Sequence, residues 1–583
     1  MDRATKMSSD SHWYDGHAEN IPKFIAHLGK RFCTAETWDY DTVDYRIDGD
    51  VAIVKLQDQA SGNGLTPKND AALKDIVVDL HTRSDVKVVV FIAGGPRFCT
   101  GGAFTFADDS QAKYMPVRDR NLTQRDSNQL ANVDTGAWVY LLNTLPQYKI
   151  AAIRGESMGA GNSIICSMDY VIAPENGVFF HFAEVKRGVA SCPTWQGVLS
   201  KIGAPMARSY TLIGDKIGAE EGNRIGLVDE IRGDLKTIND IAVQKAKEVA
   251  ALPAEQLRAM KKTGPLAKIP LTRVPESILS GCVALMDPLR PDYAAAIEEV
   301  IQDSGKAGRP APLRLSQDGW RSKKVQFAKC GDSMMRITLS NKNKENVIDA
   351  EMLDGLLDAL VELHKSASSQ VRLLEVRAEG GAFCNGLDPQ LANDDEQVQR
   401  MLFLFNMLPM PVLGIIQGRV SGFGLALCST FDMIWADAQH AAFSFDSLAL
   451  QNSGLYVVNR FRSSAVVEEM VAKRTTLSAK QAYDNIFITS VFGDLQELEL
   501  MIRELCEKVS LTGPNGVSQQ KPFIHMFSSV PTQLGLLHSL CGHVASRMVD
   551  PEFNDSLEGI GNSKHQPRYC QNDMLVRPFN SSK

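Results

Sequence analysis

Two stretches of this 583-residue chain carry the same short motifs in the same order. Arg97-Phe98-Cys99-Thr100-Gly101 is matched by Ala382-Phe383-Cys384-Asn385-Gly386, and Gly155 through Gly161 by Gly418 through Gly424. Asp169-Tyr170-Val171-Ile172-Ala173 is matched by Asp432-Met433-Ile434-Trp435-Ala436, and Phe180-His181-Phe182 by Phe443-Ser444-Phe445. The offset is 263 residues at Gly155, Asp169 and Phe180, and 285 at Phe98. A period of that size repeats a whole domain, not a solenoid unit. The change of offset places 22 extra residues in the first copy, near 106–130. That stretch is polar and is expected to form a loop beside whatever site the domain holds.

Within a copy, apolar runs alternate with helical patterns. Val51–Leu56 follows the turn Asp48-Gly49-Asp50 and reads as a strand. Leu73, Ile76, Val77 and Leu80 have helical spacing, which predicts a helix over about 68–82. Val86–Ile92 is a β-branched run suited to a strand buried on both faces, and Gly94-Gly95-Pro96 ends it. A second buried strand over Lys149–Arg154 runs into Gly155, and a helix is predicted over 160–168. Alternation of this kind predicts an α/β fold with parallel pairing. The boundaries expected are an N-terminal extension over 1–40, a first domain over 41–303 and a Gly/Pro-rich linker over 304–320. A second domain follows over 321–548, then a polar tail over 549–583.

Composition narrows the function classes. The net charge of −7 gives no general attraction to nucleic acid. No run of 18 or more apolar residues suggests a membrane span. The eleven cysteines form no C-x-x-C pair and are expected to be free thiols, with no metal site. The first forty residues show no apolar signal region, so a cytoplasmic location is expected.

Two glycine turns stand out, each after a strand: Phe98-Cys99-Thr100-Gly101-Gly102 and Gly155-Glu156-Ser157-Met158-Gly159-Ala160-Gly161. Glycine lets the backbone approach a ligand closely. Two such turns converging would offer a pair of N–H donors to an oxyanion. Spacing alone fits ordinary strand–helix turns as well. Neither turn has a nucleotide-phosphate pattern.

These turns, with Ile153-Arg154 before the second, Asp169, Phe180 through Gly188 and Ile225-Gly226-Leu227-Val228-Asp229, resemble the crotonase (enoyl-CoA hydratase/isomerase) superfamily. The resemblance covers about 45–300, with a degraded second copy over about 321–510. It implies an α/β, crotonase-like spiral of ββα units in two tandem copies. It implies an acyl-CoA or acyl-carrier-protein thioester as substrate. No separate cofactor is expected, since coenzyme A or phosphopantetheine arrives as part of that substrate. It also implies a homo-oligomer. The oxyanion donors it points to are the N–H groups of Thr100 and Ala160, with Gly101, Gly159 and Gly161 shaping the substrate-binding turns.

Hydratases of the superfamily use two glutamates. One of those positions is Glu184 here, and the other is Ser163. A lone carboxylate is sufficient to shift a double bond. Adding or removing water needs Ser163, a water or another group as well; alternatively Ser163 is a small helix residue. His181 is read as structural. Lys186, Arg187 and Lys201 are read as solvated surface charges in preference to phosphate ligands. In the second copy Phe423, Ala426 and Ser447 stand where Ala160, Ser163 and Glu184 do, while Asn385 and Phe423 keep candidate N–H donors. Asp446 is one residue off, and Asp388 stands where the first copy has Ala103. Three functions are therefore expected: a hydratase, dehydratase or isomerase with an active first copy; a polyketide β-branching dehydratase/decarboxylase pair; or a thioester-binding pseudoenzyme.

Overall fold

The computed structural model describes residues 33–102, 138–187 (apart from 140 and 144) and 192–257 (apart from 255) in the first half. In the second it describes 320–445, apart from 322, 332, 366–370, 389 and 392–394, and 460–512, apart from 462 and 463, with 517 and 521. The 106–130 insertion, most of the two terminal extensions, all but the last residue of the linker, and Ala103, Asp446 and Ser447 lie outside the described residues.

Domain 1 begins with an antiparallel pair, β1 (Val43–Asp48) and β2 (Val51–Leu56), turned by Gly49 at φ 61°. Helix α1 (Pro67–Thr82) follows; Thr66 accepts the Asn69 N–H at 3.2 Å and Pro67 starts the first turn, both favourable at a helix N-terminus. From there the chain lays down long and short strands in turn. β3 (Val88–Ala93), β5 (Tyr148–Ala152) and β7 (Tyr170–Ala173) join β2 in a parallel sheet that ends in β10 (Glu230–Ile231). The short strands β4 (Arg97–Cys99), β6 (Glu156–Met158), β8 (Phe179–His181) and β9 (Lys216–Ile217) make a second sheet. Helix α2 (Gly161–Cys166) follows β6 and is shorter than the span predicted. α3 (Cys192–Ile213) is broken at Gly203 (φ 74°) ahead of Pro205, and α4 (Ala219–Ile225) and α5 (Ile238–Ala250) complete the half.

The continuous apolar run of β3 has a plain cause. Val89, Phe91 and Ala93 face the core shared with α1, while Val88, Val90 and Ile92 face the cluster under α5. Both faces are covered, so every residue of the strand is buried. Each such Val, Phe or Ile contributes roughly 1.5–3 kcal/mol by leaving water.

Domain 2 repeats this plan. β12 (Val325–Cys330), β13 (Met334–Leu339), β14 (Leu373–Ala378), β16 (Val412–Ile416), β18 (Met433–Asp437) and β21 (Ser490–Phe492) form the long sheet, with β11 (Trp320–Arg321) added at the edge. β15 (Ala382–Cys384), β17 (Arg419–Ser421), β19 (Ala442–Ser444) and β20 (Leu477–Ser478) form the short one. Helices α6 (Ala350–Lys365), α7 (Asp395–Met407), α8 (Phe423–Ser429), α9 (Ser464–Lys473), α10 (Ala479–Asp484) and α11 (Leu495–Ser510) surround them.

Both domains need glycine at the same crossing. A Cβ on Gly155, itself at φ 73°, would fall 1.8 Å from Pro96 O. A Cβ on Gly418 would fall 2.4 Å from Gly381 O. One corner of the chain thus lies directly on the previous one, which brings the ends of neighbouring short strands together.

The halves also touch. Ile213 is buried in the domain 2 cluster that holds Leu373, Leu413 and Met433, and Ile486 is buried in the domain 1 core. Arg208 donates to Asn406 Oδ1 at 3.3 Å, and the Arg224 guanidinium lies 3.9 Å over the Tyr483 ring. Cys33, Cys99, Cys166, Cys330, Cys384, Cys428 and Cys506 are free thiols. Among the described residues no helix is long and apolar enough to cross a membrane.

Candidate active site

β4 and β6 are parallel neighbours, with Cys99 opposite Ser157. The turns leaving them are therefore side by side. A Cβ on Gly101 (φ 79°) would lie 2.5 Å from Met158 O and 3.1 Å from the Ala160 nitrogen; one on Gly161 would lie 2.7 Å from Cys99 O. Neither position has room for a side chain, so the two backbones meet as the motif order anticipates.

Peptide planarity fixes where the amides point. Gly101 O accepts the Leu65 N–H at 2.7 Å, within a parallel bridge between Leu65 and Gly102. In a trans peptide the following N–H points the opposite way, so the Gly102 N–H is aimed away from Leu65. Gly159 O accepts the Asn162 N–H at 2.9 Å, which turns the Ala160 N–H outward from the start of α2. Among the described residues no oxygen accepts the N–H of Thr100, Gly102 or Ala160. Backbone donors in such turns ordinarily find an acceptor in protein or water. A Cβ on Gly102 would meet nothing within 4 Å, so space lies open beside it. Thr100 instead turns its side chain into the fold: Oγ1 donates to Ser61 O at 3.0 Å. Gly102 is the residue that motif reading passed over; the signal for it was the second glycine of Thr-Gly-Gly.

Glu184 opens a 3₁₀ turn, Glu184–Arg187, just beyond β8. Phe182 and Val185 are fully buried on either side of it and anchor the turn. The glutamate is half-buried, and one carboxylate oxygen is screened from solvent. A Cβ on Gly159 would sit 3.5 Å from Glu184 Oε1. The acid therefore borders the Gly159–Ala160 turn. His181 O ties the two segments together by accepting the Gly159 N–H at 2.9 Å and Asn162 Nδ2 at 3.0 Å.

Ser163 is 3% exposed in α2, and its hydroxyl oxygen has no hydrogen-bond partner among the described residues. The His181 ring lies against Gly214 O at 2.9 Å, and burial, with Lys186 nearby, holds its pKa below the usual value. That fits a structural residue. Lys201 pairs with Asp229 at 2.8 Å and so ties α3 to the segment before β10. Lys186 packs on Gly214, while the Arg187 side chain lies outside the described residues. Among the described residues no cluster of His, Cys, Asp and Glu could hold a metal ion.

Domain 2 keeps the backbone of this arrangement and fills it. Leu387 bridges Ile348 as Gly102 bridges Leu65, and Gly422 donates to Ser444 O as Gly159 does to His181 O. Phe423, however, is 2% exposed and belongs to the hydrophobic core, whereas Ala160 is half-buried. Ala426 is fully buried where Ser163 stands. The expectation that Asn385 keeps a usable N–H is corrected: it donates to Glu345 O at 3.2 Å. Glu345 also holds Asn385 Nδ2 at 2.6 Å and Arg419 at 2.7 Å, which locks that loop. Asp388 accepts the Gln390 N–H at 3.0 Å and acts as a local turn former.

A family model described as enoyl-CoA hydratase/isomerase matches residues 46–265 and again 329–534, together more than half of the chain. Among individual relatives, (E)-benzylidenesuccinyl-CoA hydratase of Thauera aromatica is 28% identical over 228 residues, 39% of this chain and 83% of that protein. An enoyl-CoA hydratase crystal structure from Mycobacterium smegmatis is 18% identical with a TM-score of 0.38, over 42% of this chain and 99% of that one. An enoyl-CoA hydratase/isomerase structure from Mycobacterium paratuberculosis is 22% identical with a TM-score of 0.33, over 39% and 85%. With the motif order and the ββα plan present twice, the chain belongs to the enoyl-CoA hydratase/isomerase family, as two tandem copies.

Proposed function

We propose that domain 1 acts on an acyl thioester of coenzyme A, as an enzyme of enoyl-CoA hydratase/isomerase type. The observation that carries this reading is the position of Gly159: its neighbour Ala160 presents an outward N–H, and its own Cα borders the Glu184 carboxylate. A thioester oxygen held by the Ala160 N–H and by the Thr100–Gly102 turn would become an enolate oxygen when a carbon-bound proton leaves. Within that turn the Gly102 N–H is favoured as donor over that of Thr100, by the peptide-plane argument and the open space beside it. Each preorganised donor is typically worth ~2.7–4 kcal/mol in the transition state. Glu184 takes the proton and returns it at another carbon, which shifts a double bond. In hydration or dehydration, Ser163 or a water would fill the second role.

The pantetheine arm is common to coenzyme A and carrier proteins, so the assay uses a panel of enoyl thioesters on both. The expected outcome is turnover by the full chain that Glu184→Gln lowers at least ~10²-fold. Equal turnover in the variant removes Glu184 from the mechanism. Binding without turnover across the panel would point to a thioester-binding pseudoenzyme instead. Nothing in the described part of domain 2 favours a separate decarboxylation there.

A further inference from the structure

Domain 2 has a closed version of the site, yet it grips domain 1 at a telling place. The grip is the segment Ile213-Gly214-Asp215, at the end of α3. Ile213 is 2% exposed and sits among the domain 2 residues Met334, Leu373, Leu413 and Met433. Asp215 pairs with Lys508 near the end of α11 at 2.9 Å. Between these two anchors Gly214 faces the other way, onto the turn that carries Glu184. A Cβ there would lie 3.1 Å from Lys186 Cε, 3.2 Å from Phe182 O and 3.2 Å from Val185 Cγ1. Gly214 O also lies 2.9 Å from His181 Nε2, on the strand that enters the turn.

We infer that domain 2 is a built-in positioning subunit: it clamps Ile213 and Asp215, and through Gly214 it sets where the Glu184 carboxylate stands. The contacts form one packed path from Lys508 and the domain 2 cluster to Phe182 and Val185, the residues that flank Glu184. The route is short, since the turn begins three residues beyond His181 and Gly214 touches it directly. The Lys508–Asp215 pair is partly solvent-exposed, so it adds little to stability. Its work is geometric. Lys508 and Asp215 are positioning residues, because neither borders the Thr100–Gly102 or Gly159–Ala160 turns. A tether of this kind matters because a displacement of about 1 Å at the acid can cost ~10²-fold in rate.

The inference rests on the reading of Glu184 as the proton-moving acid, so it is tested in two ways on the full chain. First, amide hydrogen exchange is followed over 183–187 in Lys508→Met and Asp215→Asn. Exchange there is expected to quicken at least ~10-fold, while that of β5 and α1 stays unchanged. This readout needs no turnover; unchanged exchange at 183–187 overturns the clamp even if Glu184 proves irrelevant to activity. Second, on whichever thioester the wild type turns over, both variants are expected to lower kcat ~10-fold with KM unchanged. The exchanged pair, Asp215→Lys with Lys508→Asp, is expected to recover kcat to within ~3-fold. Arg224→Lys, at a different contact between the halves, is expected to leave kcat as in the wild type. Loss of thermal stability with kcat unaltered would overturn the inference, as would an equal loss of kcat in Arg224→Lys.

Discussion

The two halves of this chain share a backbone and differ in what covers it. In domain 1 a glycine and an alanine, Gly102 and Ala160, leave the facing turns bare. In domain 2 Leu387 and Phe423 stand at those places, and Phe423 is drawn into the core. The hydrogen bonds that shape the turns survive in both: Leu65 to Gly101 and Ile348 to Gly386, Gly159 to His181 and Gly422 to Ser444. Architecture and chemistry are thus separable. The first is written in backbone bonds and the buried faces of strands, the second in a few side chains laid over them.

That contrast can be broken in several ways. The largest effect is expected at Glu184, where Gln should lower kcat by ~10²-fold or more with the fold intact by circular dichroism. Next comes the transplant Ala160→Phe, which brings the domain 2 residue into domain 1. Isothermal titration should then show thioester affinity reduced at least ~10-fold; unchanged affinity would separate the open turn from binding. A symmetric pair follows. Gly155→Ala and Gly418→Ala each force a Cβ onto a backbone oxygen, at 1.8 Å and 2.4 Å. Each should cost about 1–3 kcal/mol or more in urea unfolding, with the larger loss in domain 1, where the contact is closer and φ is positive.

A smaller effect sharpens the likeness rather than the difference. His81 and His364 occupy corresponding helix ends, with Nε2 3.0 Å from Leu141 O and from Leu404 O. Burial brings both from 6.5 down to about 4. An imidazole whose folded pKa is depressed is neutral in the fold, while the unfolded chain takes up its proton first. Stability should therefore be full above about 6.5 and fall as the pH drops toward about 4. His81→Gln and His364→Gln should each flatten that slope, measured as Tm against pH. The smallest expected change is Ser163→Ala: Tm within a few degrees of wild type, and kcat lowered less than ~10-fold for double-bond migration. A much larger loss confined to hydration would give the hydroxyl a part in handling water.

Much of this was legible in the sequence. The doubled motif order, the twin-faced burial of Val88–Ala93 and the contact between the glycine turns all follow from periodicity and from residues too small to keep backbones apart. Glu184 entered as a candidate only through the resemblance, and its place beside Gly159 came from the structure, because nothing about an isolated glutamate tells which way its turn faces. Two things were hidden. The preference for Gly102 over Thr100 depends on which way one peptide plane tilts, and that is set by a bond to Leu65, over thirty residues away. The loss of Asn385 as a donor depends on Glu345, forty residues upstream. Long-range backbone pairing of this kind leaves no mark on local spacing.

Both halves are synthesised on a single polypeptide, so the open copy never has to find its closed companion by diffusion. Their encounter is unimolecular and its effective concentration is independent of how much protein is present. A cell holding very few molecules would still have every open half fully escorted.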